Sequence, residues 1–137
     1  MQQDPIDFAA FAIIILTFVG VIGGSFLAIR DGRRLPPMSR STYRRKVPLL
    51  FFTPLAVILL CVPLILVPTL QALFPLPILL MPVIHYHIMR SGVQRLSDIE
   101  GRTYQGFWRA FFSYRPEMIF YLCSKQGQTP TVDINVF

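Results

Sequence analysis

The chain has 137 residues, of which 53% are hydrophobic, and its formal net charge is +6. A soluble domain of this length buries only about two-thirds of its surface, so it would leave much of that apolar area in water. The composition therefore excludes an ordinary soluble domain and indicates a small, all-α integral membrane protein. Nucleic-acid binding is not indicated, because the basic residues flank apolar stretches instead of alternating with aromatic residues.

The first apolar stretch covers residues 8–29 and follows a short segment, 1–7, that contains Asp4 and Asp7 but no basic residue. As a helix it would measure about 33 Å, which matches a bilayer core of about 30 Å. The acidic start and the length of the apolar run argue against a cleaved signal peptide. We therefore expect the first transmembrane helix here.

Small residues recur every four positions in this stretch, at Gly20, Gly24 and Ala28. Residues spaced in this way share one face of a helix, and small residues allow another helix to approach closely within a membrane. The pattern predicts a helix-packing face, whose partner the sequence does not identify.

A basic segment, 30–46, follows, and Gly32, Pro36 and Pro37 predict that it is a loop. Basic residues beside a bilayer attract anionic lipid head groups, each contributing about 1 kcal/mol. The residues expected to face head groups are Arg33, Arg34, Arg44, Arg45 and Lys46. Alternatively, these residues only set the orientation of the chain in the membrane.

The longest apolar run, 47–89, contains no Asp, Glu, Lys or Arg. Its polar middle, 68–71, predicts a turn between two spans, 47–67 and 70–89, each long enough to cross a bilayer. Pro48 suits a helix start, whereas Pro54, Pro63 and Pro82 would bend these helices. A re-entrant hairpin that dips into the membrane and returns remains the alternative.

Basic clusters at both ends of this run predict its orientation. Lys and Arg concentrate on the cytoplasmic side of membrane proteins, so both clusters should lie there. The N-terminus is then outside and the C-terminus inside. The expected location is a bacterial inner membrane or an equivalent organelle inner membrane.

The tail, 90–137, is predicted to be cytoplasmic, with an irregular end. Ser97 and Glu100 fit a capping box, which predicts an amphipathic helix at about 98–114 lying in the head-group region. Its expected contacts with the membrane interface are Tyr104, Phe107, Trp108, Arg109 and Phe111.

His85 and His87 are the only candidates for cofactor ligands. Residues two apart on a helix point about 200° away from each other, so the two imidazoles cannot share a metal ion. Either one alone has the chemistry to ligate a haem or a chlorophyll. Anchoring at the membrane interface is the simpler interpretation, and no cofactor or metal is assigned.

No catalytic motif and no small-molecule site is visible, and no acid lies deep in a span. The sequence therefore favours a non-catalytic accessory or assembly subunit of a larger membrane complex, which binds lipids and other integral membrane subunits. Energy-transducing complexes, respiratory or photosynthetic, are one class of host. The alternatives are a homo-oligomeric channel or small transporter and a membrane-shaping hairpin protein.

Overall fold

A computed structural model describes residues 5–101 and 107–128, and all regular structure within them is helical. Three segments are long and apolar enough to cross a membrane, which confirms that part of the prediction. The α-helices are α1 (Pro5–Arg34), α2 (Arg40–Leu66), α3 (Met81–Glu100), α4 (Phe107–Phe111) and α5 (Pro116–Ser124), and two 3-10 helices, Pro68–Leu73 and Leu76–Leu80, connect α2 to α3.

The connector between α1 and α2 is much shorter than the predicted loop, 30–46, because only residues 35–39 are non-helical. Helix α1 continues through Gly32, since one glycine weakens a helix without ending it. The Oγ atom of Ser39 accepts a hydrogen bond from the Thr42 amide and caps the start of α2. All seven basic residues of the predicted loop therefore lie in the adjoining parts of α1 and α2.

Proline placement explains how the long apolar run divides. Helix α2 ends at Leu66, next to the predicted turn, but Pro48 lies inside this helix instead of starting it. The predicted span 70–89 is not one α-helix, because two 3-10 helices precede α3. Pro82 lies in the first turn of α3, where its missing N–H costs no hydrogen bond, so the prediction that it bends a helix interior was wrong.

Helix α3 packs against the second half of α1. Gly20 lies against Pro82, and Gly32 lies against Val93. The later residue of α1 thus contacts the later residue of α3, so the two helices run in the same direction. Helix α2 packs on α3 and runs antiparallel to it, which makes α3 the centre of the bundle.

The hydrophobic core lies at the end of the bundle that contains the 35–39 connector and α5, here called the basic end. Every α3 residue from Ser91 to Asp98 is buried there. The apolar members of the core are Ala28, Met38, Tyr43, Met89, Val93, Leu96, Ala110 and Leu122.

The tail differs from the predicted single helix at 98–114. Ser97 is not a helix N-cap, because it lies inside α3 and its hydroxyl donates to the Val93 carbonyl at 2.8 Å. Helix α3 ends where Gly101 adopts a φ of 81°, a conformation that favours glycine. Residues 102–106, with the predicted interface residue Tyr104, lie outside the described residues. Helix α5 occupies part of the tail that was predicted to be irregular.

Candidate interaction sites at the basic end of the helices

The small-residue face of α1 is covered by α3 of the same chain. A Cβ atom at Gly20 would stand 3.0 Å from the Pro82 side chain, and one at Gly24 would stand 3.6 Å from the Pro82 carbonyl oxygen. Ala28 is fully buried in the core. This face is therefore occupied within the chain and is not free for a second protein.

Gly32 extends the same face and was missed as a packing residue. A Cβ atom there would stand 2.8 Å from the Cβ atom of Val93 and 3.1 Å from the Arg90 carbonyl oxygen. The signal was present, because Gly32 continues the four-residue spacing of Gly20, Gly24 and Ala28. It was overlooked because the helix was expected to end at Ile29.

His85 joins three helices, α1, α3 and α4. Its Nε2 atom lies 2.9 Å from Ser25 Oγ, and the Ser25 hydroxyl donates to the Val21 carbonyl at 2.7 Å. Because a hydroxyl has one proton, the imidazole is the donor in the Ser25–His85 hydrogen bond. The ring also contacts Phe111 edge-on, with centroids 5.1 Å apart. Nε2 is thus engaged in helix packing and is not available to a metal.

His87 lies on a different side of α3 from His85. It is exposed, and its ring stands edge-on against Tyr86 with centroids 5.3 Å apart. The Tyr86 hydroxyl in turn donates to Asp31 at 2.7 Å. In the described part of the chain, no group of three or more His, Cys, Asp or Glu side chains is arranged to hold a metal ion.

Arg95 forms a buried polar centre that the sequence did not reveal. Its side chain is fully buried and forms an ion pair with Asp98. Its guanidinium also donates to backbone carbonyl oxygens of the connector and the tail, at Met38, Leu122 and Lys125. Arg95 therefore attaches both segments to α3.

The C-terminal end of α5 is held by two further arginines. The Nε atoms of Arg40 and Arg44 donate to the Cys123 carbonyl oxygen at 2.9 and 3.0 Å. A helix C-terminus carries unpaired carbonyl groups and a partial negative charge, and cations stabilise both. Arg44, which was predicted to face lipid, thus has a structural partner inside the chain.

Some of the remaining predicted interface residues contact other residues of the chain, and others are exposed and form no side-chain hydrogen bond or ion pair within the described chain. Arg109 donates to Glu100 at 2.6 Å, and Phe107 packs against Phe26 with ring centroids 5.5 Å apart. Trp108 is 66% exposed. Of the basic residues predicted to face head groups, Arg33, Arg34, Arg45 and Lys46 are exposed and form no side-chain hydrogen bond or ion pair with another described residue.

Helices α2 and α3 enclose a groove of about 400 Å³, here called the α2–α3 groove. It is lined by Lys46, Leu49, Leu50, Thr53, Val83, Ile84, His87, Arg90 and Ser91. The charged residues, Lys46 and Arg90, lie toward the basic end, and the apolar residues Val83 and Ile84 lie farther from it along α3. Its lining therefore has the character of a site for an amphipathic molecule.

A second cavity, of about 450 Å³, opens between α1, α2 and α3, and His85 and Tyr114 are its polar lining residues. Its other lining residues are apolar, which suits hydrocarbon but selects no particular ligand. Comparison with protein families, with curated proteins and with solved structures finds no match for this chain.

Proposed function

We propose that this protein is a small, non-catalytic accessory or assembly subunit of a larger membrane complex. The observation that carries the proposal is the exposure of α2. In the most apolar 18-residue window of this helix, only 6% of the residues are buried within the chain. A helix with so few contacts in its own chain has most of its surface available to other membrane subunits.

The exposed surface of α2 extends around the helix. Ile58, Leu59 and Leu60 are consecutive, and all three side chains are more than half exposed. Successive residues point about 100° apart, so these three cover a wide arc of the helix. Such a surface can pack against partner helices through van der Waals contacts, which drive helix association in membranes.

The basic end of α2, in contrast, is firmly attached to the chain. Tyr43 is 3% exposed, and Arg40 and Arg44 bind the end of α5. One end of α2 is thus held in position while its apolar length remains free. This arrangement favours a role in which α2 docks into a host complex and the basic end sets its angle.

The proposed topology has the N-terminus outside and the basic end in the cytoplasm or its equivalent, in a bacterial or organelle inner membrane. The ends of α1 and α2 that flank the connector carry the basic residues that support this orientation. A chain whose native cysteines, Cys61 and Cys123, are replaced by serine allows a test. A cysteine at Thr69 should react with an impermeant reagent added outside, whereas protection would indicate a re-entrant hairpin.

The subunit proposal is tested by photo-crosslinking in native membranes. A photoreactive amino acid at Leu59 should capture one or a few integral membrane proteins, which mass spectrometry identifies. The same amino acid at Leu96, which is fully buried in the core, is the matched control and should capture only this chain. Leu59 crosslinks to lipid alone, together with purification as a monomer without other subunits in mild detergent, would overturn the proposal.

A further inference from the structure

We propose that the α2–α3 groove is a binding site for one anionic phospholipid. In this site the phosphate lies between Lys46 and Arg90, and the first part of an acyl chain lies along Leu49, Val83 and Ile84. The proposal is independent of the host complex, because it concerns the isolated chain in a membrane or detergent.

The basic end of the groove has cationic donors without partners. The Nε atom of Arg90 is buried and has no hydrogen-bond partner among the described residues. Its guanidinium carbon lies 5.5 Å from the centre of the Tyr86 ring, a cation–π contact that orients the group without using its donors. The other N–H groups of this guanidinium also donate to no described residue, so a phosphate oxygen that reaches them would form charge-assisted hydrogen bonds.

The lack of a hydrogen-bond partner within the described chain distinguishes Arg90 from other arginines at the basic end. Arg40, Arg44 and Arg95 all donate to backbone carbonyl oxygens of the tail. Lys46, which lines the same groove from α2, forms no side-chain hydrogen bond or ion pair with a described residue. The groove thus gathers positive charge that the described chain does not use for its own packing.

No carboxylate is among the described residues that line the groove. Asp31, which accepts the Tyr86 hydroxyl, is paired with Arg30 at 3.1 Å. The positive charge of Lys46 and Arg90 therefore stays without a counter-ion from the groove lining. Charge-assisted hydrogen bonds to a phosphate would supply one.

The other end of the groove suits hydrocarbon. Its lining is leucine, isoleucine and valine, and the hydroxyl of its single threonine, Thr53, already donates to the Leu49 carbonyl at 2.7 Å. From Lys46 to Thr53 the groove extends about 10 Å along α2, at about 1.5 Å per residue. A free phosphate would fill only the basic end, whereas a phospholipid matches both ends.

Native mass spectrometry of the full chain in mild detergent tests the site. We expect one phosphatidylglycerol molecule to bind at least tenfold more tightly than phosphatidylcholine. In the double variant K46Q/R90Q that preference should fall by about tenfold or more, because both lipids carry a phosphate but only phosphatidylglycerol has a net negative charge for the two cations to attract. The double variant R33Q/R34Q removes the same charge from the exposed end of α1 and should keep the preference.

Two further measurements separate a phospholipid from other anions. Val83→Trp places a large side chain at an exposed position beside the apolar end, so it should weaken lipid binding while both cations remain. Glycerol phosphate in hundredfold excess should fail to displace the lipid. The proposal would be overturned if K46Q/R90Q, folded as judged by circular dichroism, kept the preference, if R33Q/R34Q lost it equally, or if glycerol phosphate displaced the lipid.

Discussion

At the basic end, all eight consecutive α3 residues from Ser91 to Asp98 are buried. In the most apolar 18-residue window of each of the three long segments, by contrast, only 6–11% of the residues are buried. The more polar part of the chain is thus the more tightly packed one. Burial within this chain therefore does not follow hydrophobicity.

The physical reason is that water and lipid impose different requirements. An apolar side chain that faces lipid is already in a favourable environment, so burying it against a second helix adds no hydrophobic stabilisation. Beside water, apolar groups gain by burial and buried polar groups need partners. Contacts within the chain that stabilise its fold should therefore concentrate at the basic end.

The largest loss of stability is expected from Arg95→Met. The change removes the guanidinium that pairs with the buried Asp98 carboxylate and that donates to the connector and the tail. Breaking a buried ion pair in this way typically costs about 3–5 kcal/mol. Denaturant unfolding in mild detergent measures the loss of stability. Limited proteolysis should show faster cleavage of the segment that follows α5, which ends at Ser124.

Arg33→Met is the control for this variant, because Arg33 carries the same charge on an exposed part of α1. Its free energy of unfolding should stay within about 0.5 kcal/mol of the wild-type value. Equal stability of the two variants would show that the buried arginine does not organise the basic end.

A smaller loss is expected from Gly32→Ala. The new Cβ atom would meet Val93 at 2.8 Å and a backbone carbonyl oxygen at 3.1 Å, so the helices must separate. Overpacking of this kind costs about 1–3 kcal/mol. Gly23→Ala is the matched control, because nothing lies within 4 Å of its Cβ position. That variant should gain up to about 1 kcal/mol from helix propensity, and a similar effect at both positions would contradict close α1–α3 packing.

The smallest effect is expected from Ser25→Ala, which removes the hydrogen bond to His85. Hydrogen bonds between helices in membranes contribute about 0.6 kcal/mol on average. Thr17→Ala is the control, because the Thr17 hydroxyl donates only to the Ile13 carbonyl of its own helix. If Ser25→Ala destabilised the chain more than Arg95→Met, the contrast between the two parts of the molecule would be wrong.

Several features of the fold were predictable because they depend on local properties of the chain. The length of 8–29 and the absence of charge from 47 to 89 predict helices that suit a bilayer, and the structure confirms three segments of this kind. The four-residue spacing of Gly20 and Gly24 pointed to a packing face, although not to α3 as its partner. Head-group contacts by Arg45 and Lys46 stay a prediction.

Other features depend on contacts between distant residues. Arg95 and Arg90 look alike in the sequence, yet one is buried in the core and the other lines a groove. The capping-box pattern at Ser97 was overridden because α3 gains more by continuing into the core than by ending there.

The sequence by itself determined that the chain is helical and apolar enough for a membrane, because backbone hydrogen bonds must be satisfied within each span. Only the tertiary structure decided which basic residues form hydrogen bonds within the chain. Arg40, Arg44 and Arg95 bind carbonyl oxygens of the tail, and these partners lie 27 to 83 positions away in the chain. No local pattern encodes such pairings, because they exist only once the helices have packed.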